Sequence, residues 1–162
     1  MASTTPSLIL GEYSRRLDDR FRFTLPGEVL SVFQPSEGDC VLAKERPGCI
    51  SLWEKAAWDE KMKDQIELIQ QRLKMGRLEQ QIPQLQMLGR LLSTRHRPVR
   101  LAGRGRLMLP EGFREFLKVE SGGEVMIVGA AVCIEIWNPA RWISYIEGKM
   151  PKFRKLLDNL SN

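Results

Sequence analysis

The segment Leu17 to Pro26 is LDDRFRFTLP, and Leu101 to Pro110 is LAGRGRLMLP. In both, two arginines stand two residues apart (Arg20 and Arg22, Arg104 and Arg106), ahead of a run that closes on proline. A guanidinium is planar, always charged and carries its donors in a rigid fork, which suits a phosphate or the edge of a guanine. The first segment also has Asp18 four residues before Arg22. A carboxylate there can accept hydrogen bonds from the backbone N–H groups of a turn, or pair with the arginine, and so fix the shape of the loop. The second segment has Ala102 in that place. Its loop lacks the anchor and a negative charge, and is expected to be more basic and less rigidly held.

The charge balance follows the same division. The 162-residue chain carries a net charge of +5, and residues 95–106 alone hold five arginines, His96 and no acid. The matching residues 11–22 hold four arginines and three acids. A single surface arginine with a local ion pair needs no partner, but the same pair recurring in the same apolar frame points to a shared acidic partner, and double-stranded DNA fits that chemistry. The candidate contact residues are Arg15, Arg16, Asp18, Arg20, Arg22, Arg100, Arg104 and Arg106. Of these, Arg15 and Arg16 could equally pair with Asp18, Asp19 or Glu12.

The two segments belong to a longer internal repeat. An offset of 84 residues carries positions 17–58 onto the second copy with 12 identities in 42 positions and no gap, among them Gly38 to Gly122, Val41 to Val125, Cys49 to Cys133, Trp53 to Trp137 and Trp58 to Trp142. Such self-similarity marks a tandem duplication of a small module. Each copy has the pattern of two strands (8–16 and 20–25; 97–102 and 105–109) around the charged turn, then a proline opening a short helix. Two further strands follow, CVLAKER and CISLW in one copy, EVMIVG and VCIEIW in the other, and then a helix. Asn138 is a good N-cap with Pro139 behind it.

Trp58, Met62, Ile66, Ile69 and Leu73 make one helical stripe that Gly76 would end. Pro83 separates a further helix over roughly 84–93, and Phe153, Leu156, Leu157 and Leu160 suggest a last one after Pro151. The expected organisation is a first module at 8–58, a helical connector at 59–94, a second module at 95–147 and a C-terminal helix at 148–162. Modules this small have little core of their own, so each should lean on its twin or on another chain.

Other chemistries find little footing. The apolar runs are far shorter than the roughly 20 residues that span a bilayer, and the first residues do not resemble a secretory signal. Cys40, Cys49 and Cys133 lie in or beside apolar runs and are expected to be reduced core residues. One histidine, His96, leaves no triad or histidine-rich metal site, and no phosphate loop or nucleophile–base pair is visible, so no enzyme, cofactor or small-molecule ligand is expected. The four tryptophans could be stacking platforms for single-stranded nucleic acid, but their place at strand-to-helix junctions favours the core. Gly103 to Arg106 has the composition of a minor-groove hook, yet runs into a strand pattern rather than a flexible tail.

With GEYSRRLDDRFRFTLP in the first copy, WNPARWISY in the second and the repeated strand, turn, strand and Pro-helix order, the chain resembles the MraZ proteins from about Leu8 to Tyr145. The resemblance implies an α+β, β-rich fold of two tandem AbrB-like (SpoVT-AbrB) swapped-hairpin or barrel modules with a pseudo-twofold internal repeat and flanking helices. It also implies a non-enzymatic, cytoplasmic and nucleoid-associated transcriptional regulator of the division and cell-wall gene cluster, assembled as a homo-oligomeric ring on direct repeats in its promoter. The family pattern, an Asp, three residues and an Arg in a setting like Leu-Asp-x-x-Gly-Arg, is altered in both copies. Phe21 stands where glycine is usual, and Ala102 where the aspartate is. Two alternatives stand beside it: an oligomeric scaffold that keeps the ring with weakened DNA binding, and an antitoxin of the AbrB type that inhibits a partner toxin.

Overall fold

The computed structural model describes residues 7–74 and 81–161. In chain order they form β1 (Glu12–Arg16), β2 (Arg22–Thr24), α1 (Gly27–Leu30), β3 (Asp39–Arg46), β4 (Cys49–Glu54), α2 (Lys55–Lys74), α3 (Ile82–Arg95), β5 (His96–Arg100), β6 (Arg106–Met108), α4 (Glu111–Leu117), β7 (Glu124–Gly129), β8 (Ile134–Trp137), α5 (Pro139–Lys149) and α6 (Phe153–Ser161). The result is an α+β fold around one large antiparallel sheet.

Six strands make that sheet in the order β1-β7-β8-β4-β3-β5, while β2 and β6 pair as a separate two-stranded ribbon. With each copy numbered by itself, the order is a palindrome. The first strand of either copy pairs with the third strand of the other (β1 with β7, β5 with β3), and the two fourth strands meet at the centre. Within each copy the third and fourth strands pair, β3 with β4 and β7 with β8, and among the described residues these hairpins join into the one six-stranded sheet.

One face of the sheet meets the ribbon, α1 and α4 in the main core. Leu42, Ile50, Leu52, Val125, Ile127, Ile134 and Ile136 lie there against Phe23, Leu25, Leu107, Leu109 and Phe113. Burying an aliphatic or aromatic side chain of this kind contributes about 1.5–3 kcal/mol, and the cluster draws such side chains from both copies. Two tryptophan clusters cover the other face: Trp53 and Trp58 with Val41 and Ala43, and Trp137 and Trp142 with Cys49 and Val128. All four tryptophans are buried, as are the three free cysteines.

The ungapped repeat needs one correction. Gly38 accepts from the Leu101 N–H, and the bond that matches it runs from the Leu17 N–H to Gly123, not Gly122. Likewise Cys40 and Leu42 face the main core where Val125 and Ile127 do, which makes the local offset 85 rather than 84. Side chains alternate between faces of a strand, so an 84-residue match here would put every side chain on the wrong side. The first copy makes up the count with a register shift between Lys44 and Arg46, after which 84 holds again. The identities Gly38 to Gly122 and Val41 to Val125 are therefore not structural equivalences.

Smaller differences have local causes. The first strand begins at Glu12 rather than Leu8, because Gly11 takes φ 121° and leaves Ile9 with an isolated bridge to Ala131. Pro26 and Pro110 stand just before the first helical residue, with extended ψ values. Pro83 lies inside the first turn of α3, where its missing N–H needs no partner. Asn138 caps α5 by accepting from the N–H groups of Ala140 and Arg141. The α2 stripe leaves the core after Met62, since Ile66 is 47% exposed. Gly76, and the side chain of Leu73, lie outside the described residues.

Candidate nucleic-acid interface

The two charged loops share one backbone frame. In the first, the Asp18 N–H donates to Arg22 (3.0 Å) and the Phe21 N–H to Asp18 (3.1 Å). In the second, Ala102 donates to Arg106 (2.8 Å) and Gly105 to Ala102 (3.1 Å). The fifth position of the frame needs a left-handed backbone, and Phe21 (φ 58°) and Gly105 (φ 79°) both supply it. For a non-glycine residue that conformation costs about 1–2 kcal/mol. A Cβ on Gly105 would also fall 2.5 Å from a Leu30 methyl in α1. Phe21 meets a different neighbour, with its ring 4.2 Å from the guanidinium of Arg114 in α4. Position 114 is the counterpart of 30 under the 84-residue offset, so each loop rests on the short helix of the other copy.

Asp18 does both jobs the sequence allowed it. One carboxylate oxygen accepts from the N–H groups of Arg20 (2.8 Å) and Arg22 (2.9 Å), and the other from Arg22 Nε (2.8 Å). The Arg22 N–H above all, against an opposing desolvation and with help from the Arg20 N–H and the Arg22 guanidinium, holds this carboxyl below its ordinary value. Ala102 has no such side chain, yet its loop keeps the backbone bonds. Its distinctive feature is a second left-handed residue, Arg104 at φ 66°.

Between the loops lies the ribbon, with Arg22 opposite Met108, Phe23 opposite Leu107 and Thr24 opposite Arg106. Phe23 and Leu107 are buried in the main core. Alternation then turns Arg22, Thr24, Arg106 and Met108 to the outer face. Arg22 and Arg106 are diagonal neighbours, roughly 7–8 Å apart at the backbone. Arg20 and Arg104 sit exposed in the loops, and among the described residues neither forms an ion pair.

The remaining sequence candidates are placed less centrally. Arg15 donates to the carbonyls of Thr24 (3.1 Å) and Ser14 (2.9 Å), and so braces the ribbon from β1. Arg16 donates to Gly122 (3.2 Å), and Arg100 pairs with Asp39 at 3.3 Å. Of the acids weighed for Arg15 and Arg16, Asp18 is taken by Arg22 instead. Two arginines stand outside the candidate contact set, although Arg97 counts towards the basic segment 95–106. Arg97 and Arg114 join Arg100 and Met108 around a shallow groove beside the ribbon. The repeat held a signal for Arg114, a charge at the position where the other copy has Leu30.

Residues 97–159 match the family model of the MraZ protein, described as antitoxin-like. Three proteins named "Transcriptional regulator MraZ" align over nearly the whole length. That of Syntrophomonas wolfei is 26% identical over 154 residues, 94% of this chain and 96% of its own. That of Roseiflexus castenholzii is 29% identical over 135 residues, 83% of this chain and 84% of its own. That of Thermus thermophilus is 27% identical over 142 residues, 88% of this chain and 90% of its own. The chain is similar to the MraZ regulators over most of its length. The model of the MraZ family covers the copy that lacks the aspartate, while the named MraZ relatives align with both copies.

Proposed function

We propose that this chain is a DNA-binding transcriptional regulator whose β2–β6 ribbon enters the major groove. The observation that carries this reading is the outer face of the ribbon, with Arg22 and Arg106 as diagonal neighbours and an exposed arginine, Arg20 or Arg104, in the loop at each end. Three paired residues span roughly 10 Å at about 3.3 Å each. A B-DNA major groove is about 12 Å wide and admits a two-stranded ribbon. The arginine forks then reach base edges, while Arg20, Arg104, Arg15, Arg16 and Arg100 lie towards the flanking phosphates.

The two copies contribute unequally. Asp18 holds Arg22 by its Nε and not by its two terminal nitrogens, so this fork is oriented before contact. Arg106 has no such partner among the described residues. Ordering a free side chain costs about 0.5–1.5 kcal/mol. The first copy therefore supplies positioning and the second most of the attraction. Further parts of the reading come from the family resemblance: two AbrB-like modules at 8–58 and 95–147, a homo-oligomeric ring, direct repeats in the promoter of the division and cell-wall gene cluster, and a cytoplasmic, nucleoid-associated location. Linking weak sites in a ring raises avidity by about 100-fold or more when the spacing fits.

The test is a mobility-shift titration on the DNA upstream of the gene, at low and moderate salt, with native protein and with Arg22→Ala plus Arg106→Ala. Native binding should fall steeply with salt, and the double variant should lose specific binding while keeping a weaker, salt-dependent affinity through the arginines that face the phosphates. A double variant that binds as tightly as the native chain would rule out the ribbon. A well-formed oligomer that ignores the DNA would indicate a scaffold.

A further inference from the structure

Two apolar surfaces stand uncovered. In α6, Phe153, Leu156, Leu157 and Leu160 fall on one stripe, and they are 59%, 57%, 51% and 77% exposed. No residue of this helix is buried. Nine residues are too few to hold a helix in water without packing, so the stripe implies a cover. Beside and before it stand Lys149, Lys152, Arg154 and Lys155, with Asp158 the single acid of the segment.

The second surface is the cleft between α2 and α3. Met62, Ile66 and Leu92 form its apolar floor next to Trp58 and His96, whose rings are 5.3 Å apart. Glu60 and Glu67 line its rim with Lys63 between them, and Asp59 beside them is paired with Lys55 at 2.6 Å.

We propose that α6 of one copy docks into the α2–α3 cleft of a second copy. The stripe lies on Met62, Ile66 and Leu92, while Lys152, Arg154 and Lys155 face Glu60 and Glu67. The inference rests on the oligomeric part of the function proposed above and names the surfaces that build it. Helix α5, which leads into α6, is anchored through Trp142 on the Trp137 cluster. The cleft starts at the separate Trp53–Trp58 cluster. Donor and acceptor surfaces are thus different, so the contact is head-to-tail and leads to a ring if it closes. An anionic lipid surface would also suit the stripe and its cations, but would leave the acidic, apolar cleft without an occupant. Complementary charge across the contact favours a second copy.

Native mass spectrometry and light scattering of the full chain test this. Leu156→Glu with Leu160→Glu, at exposed sites, should reduce the oligomer to monomers with the near-ultraviolet tryptophan signal unchanged. Lys152→Glu with Lys155→Glu, and Glu60→Lys with Glu67→Lys, should each weaken association by about tenfold or more, and the combined swap should restore most of it. An oligomer of native mass in the leucine variant, or no recovery in the combined swap, overturns the docking while leaving oligomerisation intact. Binding of the native chain to phosphatidylcholine–phosphatidylglycerol vesicles, lost in the leucine variant without change of oligomer mass, overturns it in favour of lipid. A native chain that is monomeric throughout removes the oligomer itself.

Discussion

Asp18, Ala102 and Phe21 divide the duty of one small loop. Where the aspartate is present, a carboxylate holds two N–H groups and a guanidinium. Where it is absent, the two backbone bonds alone keep the frame. The aspartate therefore sets the direction of Arg22 more than the existence of the turn. Its carboxyl is held below the ordinary 3.8. A group with a depressed folded value contributes stability that is fully present above the unfolded value and is lost as pH falls through the folded one. The stability difference between native protein and Asp18→Asn should thus be level above about pH 4 to 5 and shrink steadily at lower pH. Urea titrations across that range check it, and a difference independent of pH would discard the assignment. The anchor was legible in the sequence, because a carboxylate four residues before an arginine can do little else in a tight turn. Arg114 beside Phe21 was not, because it comes from the helix of the other copy.

At the level of elements, strands and caps followed from alternation, proline and asparagine, but register did not. An identity count treats all offsets alike, whereas a strand admits only those that keep its apolar side chains on the buried face. The bulged Glu45 region shows how the chain absorbs the difference. Ser51, 1% exposed, accepts from Trp53 Nε1 at 2.9 Å and donates to the Glu45 carboxylate. In the second copy Glu135 stands in the place of Ser51 and accepts from Trp137 Nε1 directly, at 3.0 Å. Ser51→Ala would leave the Trp53 N–H without its partner, so it should cost about 1–3 kcal/mol in denaturant unfolding. A change below about 0.5 kcal/mol, the usual range for an ordinary surface site, would mean that the bulge does not depend on this bridge.

At the level of the whole molecule, the duplicated halves are not independent domains placed end to end. Strand β1 needs β7, β5 needs β3, and both halves of the ribbon face one core. Residues 1–94 and 95–162 expressed separately should each lack cooperative unfolding, and mixing them should restore the native circular dichroism. A folded, cooperative second half alone would contradict the shared sheet. The sequence by itself determined the duplication, the order of elements, the buried tryptophans and cysteines and the basic bias of the second loop, since periodicity, caps and charge are local properties. The tertiary structure alone decided which copy each strand pairs with, which arginines share a face and which are tied to carbonyls, and how the offset slips by a residue. Those outcomes depend on which apolar faces close on each other across more than 80 residues of chain, and no local pattern carries that information.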